Sequence, residues 1–166
     1  VPGGLNASPR AAYGKGVFAA GRFAADGDAQ QGWSVLRRQT TDATTTRVTA
    51  DAGNAGSANT LNLPSNGAFF GRLRVISKMQ GSTDVAVWDV VVAAVRSAVA
   101  SSTVVFLGAN ASLAPTASNG TSAANWRLTV AADSSNGGIA VSITGAAAST
   151  INTVATFDST ETVTVS

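Results

Sequence analysis

The chain contains no cysteine and no histidine. The first absence excludes disulfides and thiolate chemistry, and the two together exclude Cys/His zinc sites and the commonest general acid or base. Charge is scarce as well: 12% of the 166 residues are Asp, Glu, Lys or Arg, about half the usual share for a soluble domain. Ala, Gly, Ser, Thr and Val take their place, which predicts a neutral surface that is cheap to desolvate against another chain. No apolar run is long enough to cross a bilayer, since the best, 85–99, is broken by Asp89, Arg96 and Ser97. Membrane insertion is therefore not expected. The opening VPGGLNASPR has neither an apolar signal core nor an initiator Met, which reads as a trimmed chain or a fragment of a longer one.

What charge there is has no pattern that would hold nucleic acid. The net charge is +2, and the eleven basic residues are spread from Arg10 to Arg127 without a run. Arg37 with Arg38, and Arg72 with Arg74, are the local concentrations. Arg72 and Arg74 stand two apart, so on a strand they share a face and become candidates for contact with a partner.

Length and pattern predict one antiparallel β-sandwich over 17–166, plausibly of jelly-roll type, preceded by a flexible arm or linker over 1–16 that is rich in Gly and Pro. Trp126, Leu128 and Val130 alternate with Arg127 and Thr129. After the turn residues 133–138, Ile139, Val141 and Ile143 alternate again, which predicts a hairpin. Over 69–79, Phe69, Leu73, Val75 and Met79 fall on one face, and Phe70, Arg72, Arg74, Ile76 and Lys78 on the other. The run 85–95 is apolar on both faces, with a helix as the second reading; five Val in eight positions favour the strand. Further β-prone runs cover 17–24, 32–40, 45–50, 102–107, 149–157 and 160–165. A strand apolar on both faces needs two covers, and one sandwich core supplies one of them. Trp88, Val90, Val91 and Val92 are for that reason the candidate subunit interface of a homo-oligomer.

No recognisable catalytic set accompanies this framework. Most of the nine carboxylates stand beside Gly, Ser, Thr or Asn, where Asp builds turns. Asp26-Gly27-Asp28 looks like the start of a calcium loop but lacks the third carboxylate and the bidentate Glu. Neither a metal nor a cofactor is expected. Of the aromatic residues, Trp88 and Trp126 read as core, whereas Trp33, after Gln30-Gln31-Gly32, is free to stack on a sugar ring or a partner.

Three stretches carry a resemblance: GRFAADGDAQ at 21–30, VLRRQTTDAT at 35–44, and STINTVA at 149–155 following the hairpin. Together they resemble a domain recurrent in structural proteins of tailed bacteriophages, often near the C-terminus of fibre, spike or other tail proteins. The likeness extends over most of 21–165. It implies a non-catalytic virion component, a trimer in keeping with fibres and spikes, other virion proteins as partners, and contact with a host surface glycan. A capsid decoration (cement) protein is the alternative from the same virion, and a carbohydrate-binding module or depolymerase domain the alternative of a different class.

Overall fold

The structure, a computed structural model, describes residues 4–164. Its strands are β1 Gly4–Leu5, β2 Lys15–Ala20, β3 Ala29–Thr40, β4 Thr46–Arg47, β5 Leu61–Asn62, β6 Gly67–Met79, β7 Val85–Val95, β8 Val104–Leu107, β9 Asn110–Leu113, β10 Ala117–Asn119, β11 Arg127–Asp133, β12 Gly138–Thr144 and β13 Ile151–Val163. Among the described residues the only helical turns are two short 3-10 segments. The strands build two sheets that pack as an all-β sandwich. The larger runs β1-β2-β3-β13-β6-β7-β10, with β8 also on β7; the smaller runs β4-β12-β11-β9, with β5 also on β12. Among the described residues every strand pairing is antiparallel except that of β1 with β2.

The expected hairpin is β11 and β12, in register from Arg127↔Thr144 to Asp133↔Gly138. Its turn is closed by the Asp133 carboxylate, which accepts from the Asn136 backbone N–H and side-chain amide at 3.0 Å each. Gly137 in this turn adopts positive φ, at +78°. Leu128 and Val130 face Ile139, Val141 and Ile143 into the core, and Trp126 is buried beside them. Opposite them lie Phe69, Leu73 and Val75 of β6, Trp88 and Val92 of β7, and Ile151, Ala155 and Phe157 of β13. Each such side chain contributes roughly 1.5–3 kcal/mol by leaving water.

Three expectations need correction. First, β7 is a strand, but Trp88 and Val92 are 2% and 0% exposed in the chain's own core, and Val90 packs against it. Only Val91 of the four candidate interface residues points away from the small sheet. The small sheet supplies the cover on the Trp88 side, so a neighbouring subunit is not needed there. Second, where two runs, 149–157 and 160–165, were expected, Ile151–Val163 form one unbroken strand, β13, at the centre of the large sheet, and residue 165 lies outside the described residues. Asp158 is satisfied on one face by Arg74, and the Ser159 hydroxyl on the other by the Gly32 carbonyl and the Glu161 carboxylate. An extended chain thus meets every need that a turn would have met. Third, residues 1–3 lie outside the described residues, but from Gly4 the expected arm is fastened to the domain. β1 pairs with β2, Asn6 accepts from the Gly27 N–H, Tyr13 donates to the Ala58 carbonyl, and β2 already starts at Lys15.

Candidate functional site

Strand alternation divides the large sheet into a core face and an outer face, and the register fixes which outer residues are neighbours. One row reads Trp33, Asp158, Arg72, Val91 across β3, β13, β6 and β7; the next reads Val35, Thr156, Arg74, Asp89. Gln31, Thr160 and Phe70 flank the first row, and Arg37, Val154, Ile76 and Val87 flank the second. Trp33, Arg72 and Arg74, the residues singled out for partner contact, are thereby brought onto one surface together with Val91.

Four charges in these two rows form pairs, while Arg37 and Lys78 on the same face have no carboxylate partner among the described residues. Arg72 grips Asp89 through Nε at 2.6 Å and Nη2 at 2.5 Å, and Arg74 pairs with Asp158 across the neighbouring rows. Hydrogen bonding from Arg72 holds the Asp89 carboxyl below its ordinary range, and the same contact raises the Arg72 guanidinium. Around these two pairs lie large apolar side chains open to solvent: Trp33 at 41%, Phe70 at 57% and Val91 at 45% exposure, with Val35, Ile76 and Val154 similar. Trp33 is laid flat because its strand partner is Gly16, where any Cβ would collide with the indole. Two open hollows result: one of about 320 Å³ between Phe70, Arg72 and Asp158, and one of about 440 Å³ between Arg74, Ile76, Asp89 and Val154.

A second apolar surface adjoins the first at β8. Phe106 is 66% exposed, with Val99, Val104 and Leu107 also open, in a segment, 97–126, that contains no charged residue. Among the described residues, β8 pairs in a sheet with β7 alone. Phe70, Ile76, Val154 and this uncharged segment were not singled out from the sequence as a surface. The uncharged run was open to inspection; the patch made by β3, β6 and β13 exists only through long-range register.

The carboxylates are committed to local structure. Asp28 accepts from the backbone N–H groups of Phe23, Ala24 and Ala25 at 2.9, 2.6 and 2.7 Å. Burial alone would raise its pKa; those donors outweigh it and leave the carboxyl lowered. Asp26 pairs with Arg22 and Asn6, so the two residues of the calcium-like turn face protein donors. No group of three or more metal-ligating side chains occurs among the described residues.

One buried polar cluster was invisible in the sequence. Glu161, on the inner face of β13, accepts from Lys15 Nζ and the Ser159 hydroxyl on Oε1 at 2.6 and 2.9 Å, and from Arg10 Nη1 and Gln30 Nε2 on Oε2 at 2.9 and 2.8 Å. Its burial would raise its pKa, but Lys15, Gln30 and Arg10 together lower it. The Lys15 amine, removed from water and 4.9 Å from the centre of the Phe69 ring, has its own pKa lowered, by burial foremost. Arg10 and Lys15 lie in the expected arm and Glu161 in the β-prone run 160–165 at the far end of the chain, so neither signalled the other.

The fold and surface define the class: an all-β sandwich with an open sheet face on which exposed apolar side chains surround two Arg–Asp pairs. No family model, no curated protein and no solved structure matches the chain.

Proposed function

We propose that this chain is a non-catalytic structural protein of a tailed-phage virion, a fibre, spike or appendage domain that works as a homo-oligomer, with a trimer favoured. The observation that carries the assembly is the outer face of the large sheet, where exposed Trp33, Phe70, Ile76, Val91 and Val154 surround two internally paired Arg–Asp couples. The two couples themselves can be covered without stranding a charge, which is the usual cost of burying Arg or Asp. Scattered exposed apolar residues are ordinary, but a contiguous patch of this kind marks an interaction surface. The virion assignment rests on the resemblance, and the fold supports its unity. Segments 35–40 and 151–155 are adjacent strands, with Thr40 opposite Ile151 and Leu36 opposite Ala155, and the loop 21–28 leads into the first of them. The commitment of the acids to ion pairs and backbone caps supports the non-catalytic part.

Light scattering of the purified protein tests the assembly, and proteomics of phage particles tests the location. A multiple of the chain mass that Val91→Asp reduces while the fold persists is the expected result. A monomer at all concentrations would overturn the oligomer, and absence from particles would overturn the virion role.

A further inference from the structure

A trimer needs two kinds of contact surface. A patch that meets its own copy closes a dimer, whereas a ring of three joins one patch on each subunit to a different patch on the next. The outer face of the large sheet supplies one of them. Its wider hollow, about 440 Å³, is lined by Ile76, Val87, Trp88 and Val154 together with Arg74 and Asp89. The second patch is offered by the loop 21–28. Phe23 is 81% exposed there, more than any other large apolar side chain among the described residues. The loop itself is held fast. The Asp28 carboxylate accepts from the backbone N–H groups of Phe23, Ala24 and Ala25, and Arg22 and Asn6 both donate to the Asp26 carboxylate. The Gly27 N–H donates to the Asn6 carbonyl, and its carbonyl accepts from Arg10. An aromatic ring standing in water on a pinned loop has burial still to gain and little backbone freedom to lose, which is the character of an interface anchor.

Phe23 cannot enter the hollow of its own chain. The loop leads into β3 at Ala29, opposite Thr162, whereas the hollow lies beside Thr156 and Val154, six to eight residues back along β13. At the rise of a strand that is roughly 20–27 Å. We propose that Phe23 of one copy fills the Arg74–Ile76–Asp89–Val154 hollow of the next, and that repetition of this contact closes the ring. The proposal rests on the reading of the outer sheet face as an assembly surface, and it names the segment that covers that face. The Arg22–Asp26 pair beside Phe23 and the Arg–Asp couples at the hollow are each matched within their own copy, so these charges stay paired when the surfaces meet. One aromatic side chain buries about 150–250 Å² of the roughly 1,200–2,000 Å² of a stable contact. The remainder falls to the exposed apolar side chains around the hollow.

Two variants of the full chain test this, both at exposed positions so that the circular dichroism spectrum should not change. Phe23→Asp removes the anchor, and Ile76→Glu spoils the hollow. Light scattering should show each alone falling from three chain masses to one. A photoreactive p-benzoyl-phenylalanine at position 23 in the Ile76→Glu chain should then cross-link to added Phe23→Asp chain, which keeps its hollow, within peptides containing 74–76, 87–89 or 154–156. The same probe chain irradiated alone should give no cross-link between chains. An oligomer that Phe23→Asp leaves at full mass overturns the contact and leaves the assembly reading standing. So does a cross-link that maps elsewhere, or none in the mixture. A wild-type chain that is monomeric at all concentrations overturns both.

Discussion

At the scale of single residues, the largest individual dependence falls on Glu161. It gathers Arg10 and Lys15 from the N-terminal segment, Gln30 from β3 and Ser159 from its own strand. Removing one partner of a buried ion pair costs about 3–5 kcal/mol, because the remaining charges stay buried without compensation. Glu161→Ala should therefore lower stability by that order in urea denaturation. The pH dependence follows from the direction of its shift. The folded pKa lies below the ordinary 4.5, so on acidification the unfolded chain binds the proton first. Its stabilisation is complete above 4.5 and is lost as pH falls through the folded value. Urea titrations between neutral and acid pH check this, and an unchanged acid slope in Glu161→Gln would contradict it.

Residue identity also marks what could and could not be inferred from sequence. The hairpin was legible because Trp126, Leu128, Val130, Ile139, Val141 and Ile143 obey a period of two on either side of a Gly-rich turn, all within local sequence. The Glu161 cluster was not, since its partners come from the other end of the chain and each residue alone is an ordinary polar side chain. Arg72 and Arg74 were legible as a shared face; their acidic partners were not. Asp89 and Asp158 come from two different strands, and the sequence supplies no register between them.

At the scale of elements, β7 shows how the same apolar strand can serve two environments. Alternation correctly separates Val91 from Trp88, Val90 and Val92, but periodicity cannot say which face meets the core. In the structure the Trp88 side is internal and the Val91 side is external, so two neighbouring substitutions should have opposite consequences. Val92→Asp places an unpaired charge among core side chains, which costs several kcal/mol out of a typical total of about 5–15. It should unfold the chain. Val91→Asp stands on the open face beside Arg72 and should leave the circular dichroism spectrum unchanged while lowering the mass in solution. If Val92→Asp stayed folded, the inner position of that residue would be refuted.

The hairpin turn supplies a second element-scale prediction. Gly137 sits at φ +78°, and a Cβ there would also meet the Arg96 guanidinium. Arg96 Nη1 donates to the Leu63 carbonyl at 2.7 Å, so the side chain is not free to withdraw without loss. Gly137→Ala should cost at least the roughly 1–2 kcal/mol of a left-handed L-residue. A thermal melt compares it with Ser135→Ala in the same turn, which should be close to neutral.

At the scale of the whole molecule, the sheet is organised around β13. β13 pairs with β3 along twelve positions, from Ile151↔Thr40 to Thr162↔Ala29, and with β6 along thirteen, from Ile151↔Met79 to Val163↔Gly67. Both neighbours precede it by long stretches of chain, β3 by most of its length and β6 by nearly half, so neither has its central partner until β13 arrives. Loop closure over such separations must be completed before the contacts reward it, which places folding in the ms–s range of non-local β proteins. A chain shortened to end at Ser149 should then fail to fold rather than fold with one strand missing. It would lose Ile151, Ala155 and Phe157 from the core and leave β3 and β6 with open edges, a template for aggregation. Adding a synthetic 150–164 peptide should restore the sheet in part, because the missing strand is extended and its pairing surfaces are already in the rest of the chain. Near-ultraviolet circular dichroism reports the outcome through Trp88 and Trp126, both buried in the core that β13 completes. A truncated chain that kept the native signal without the peptide would show that β13 is an addition to the sandwich rather than its centre.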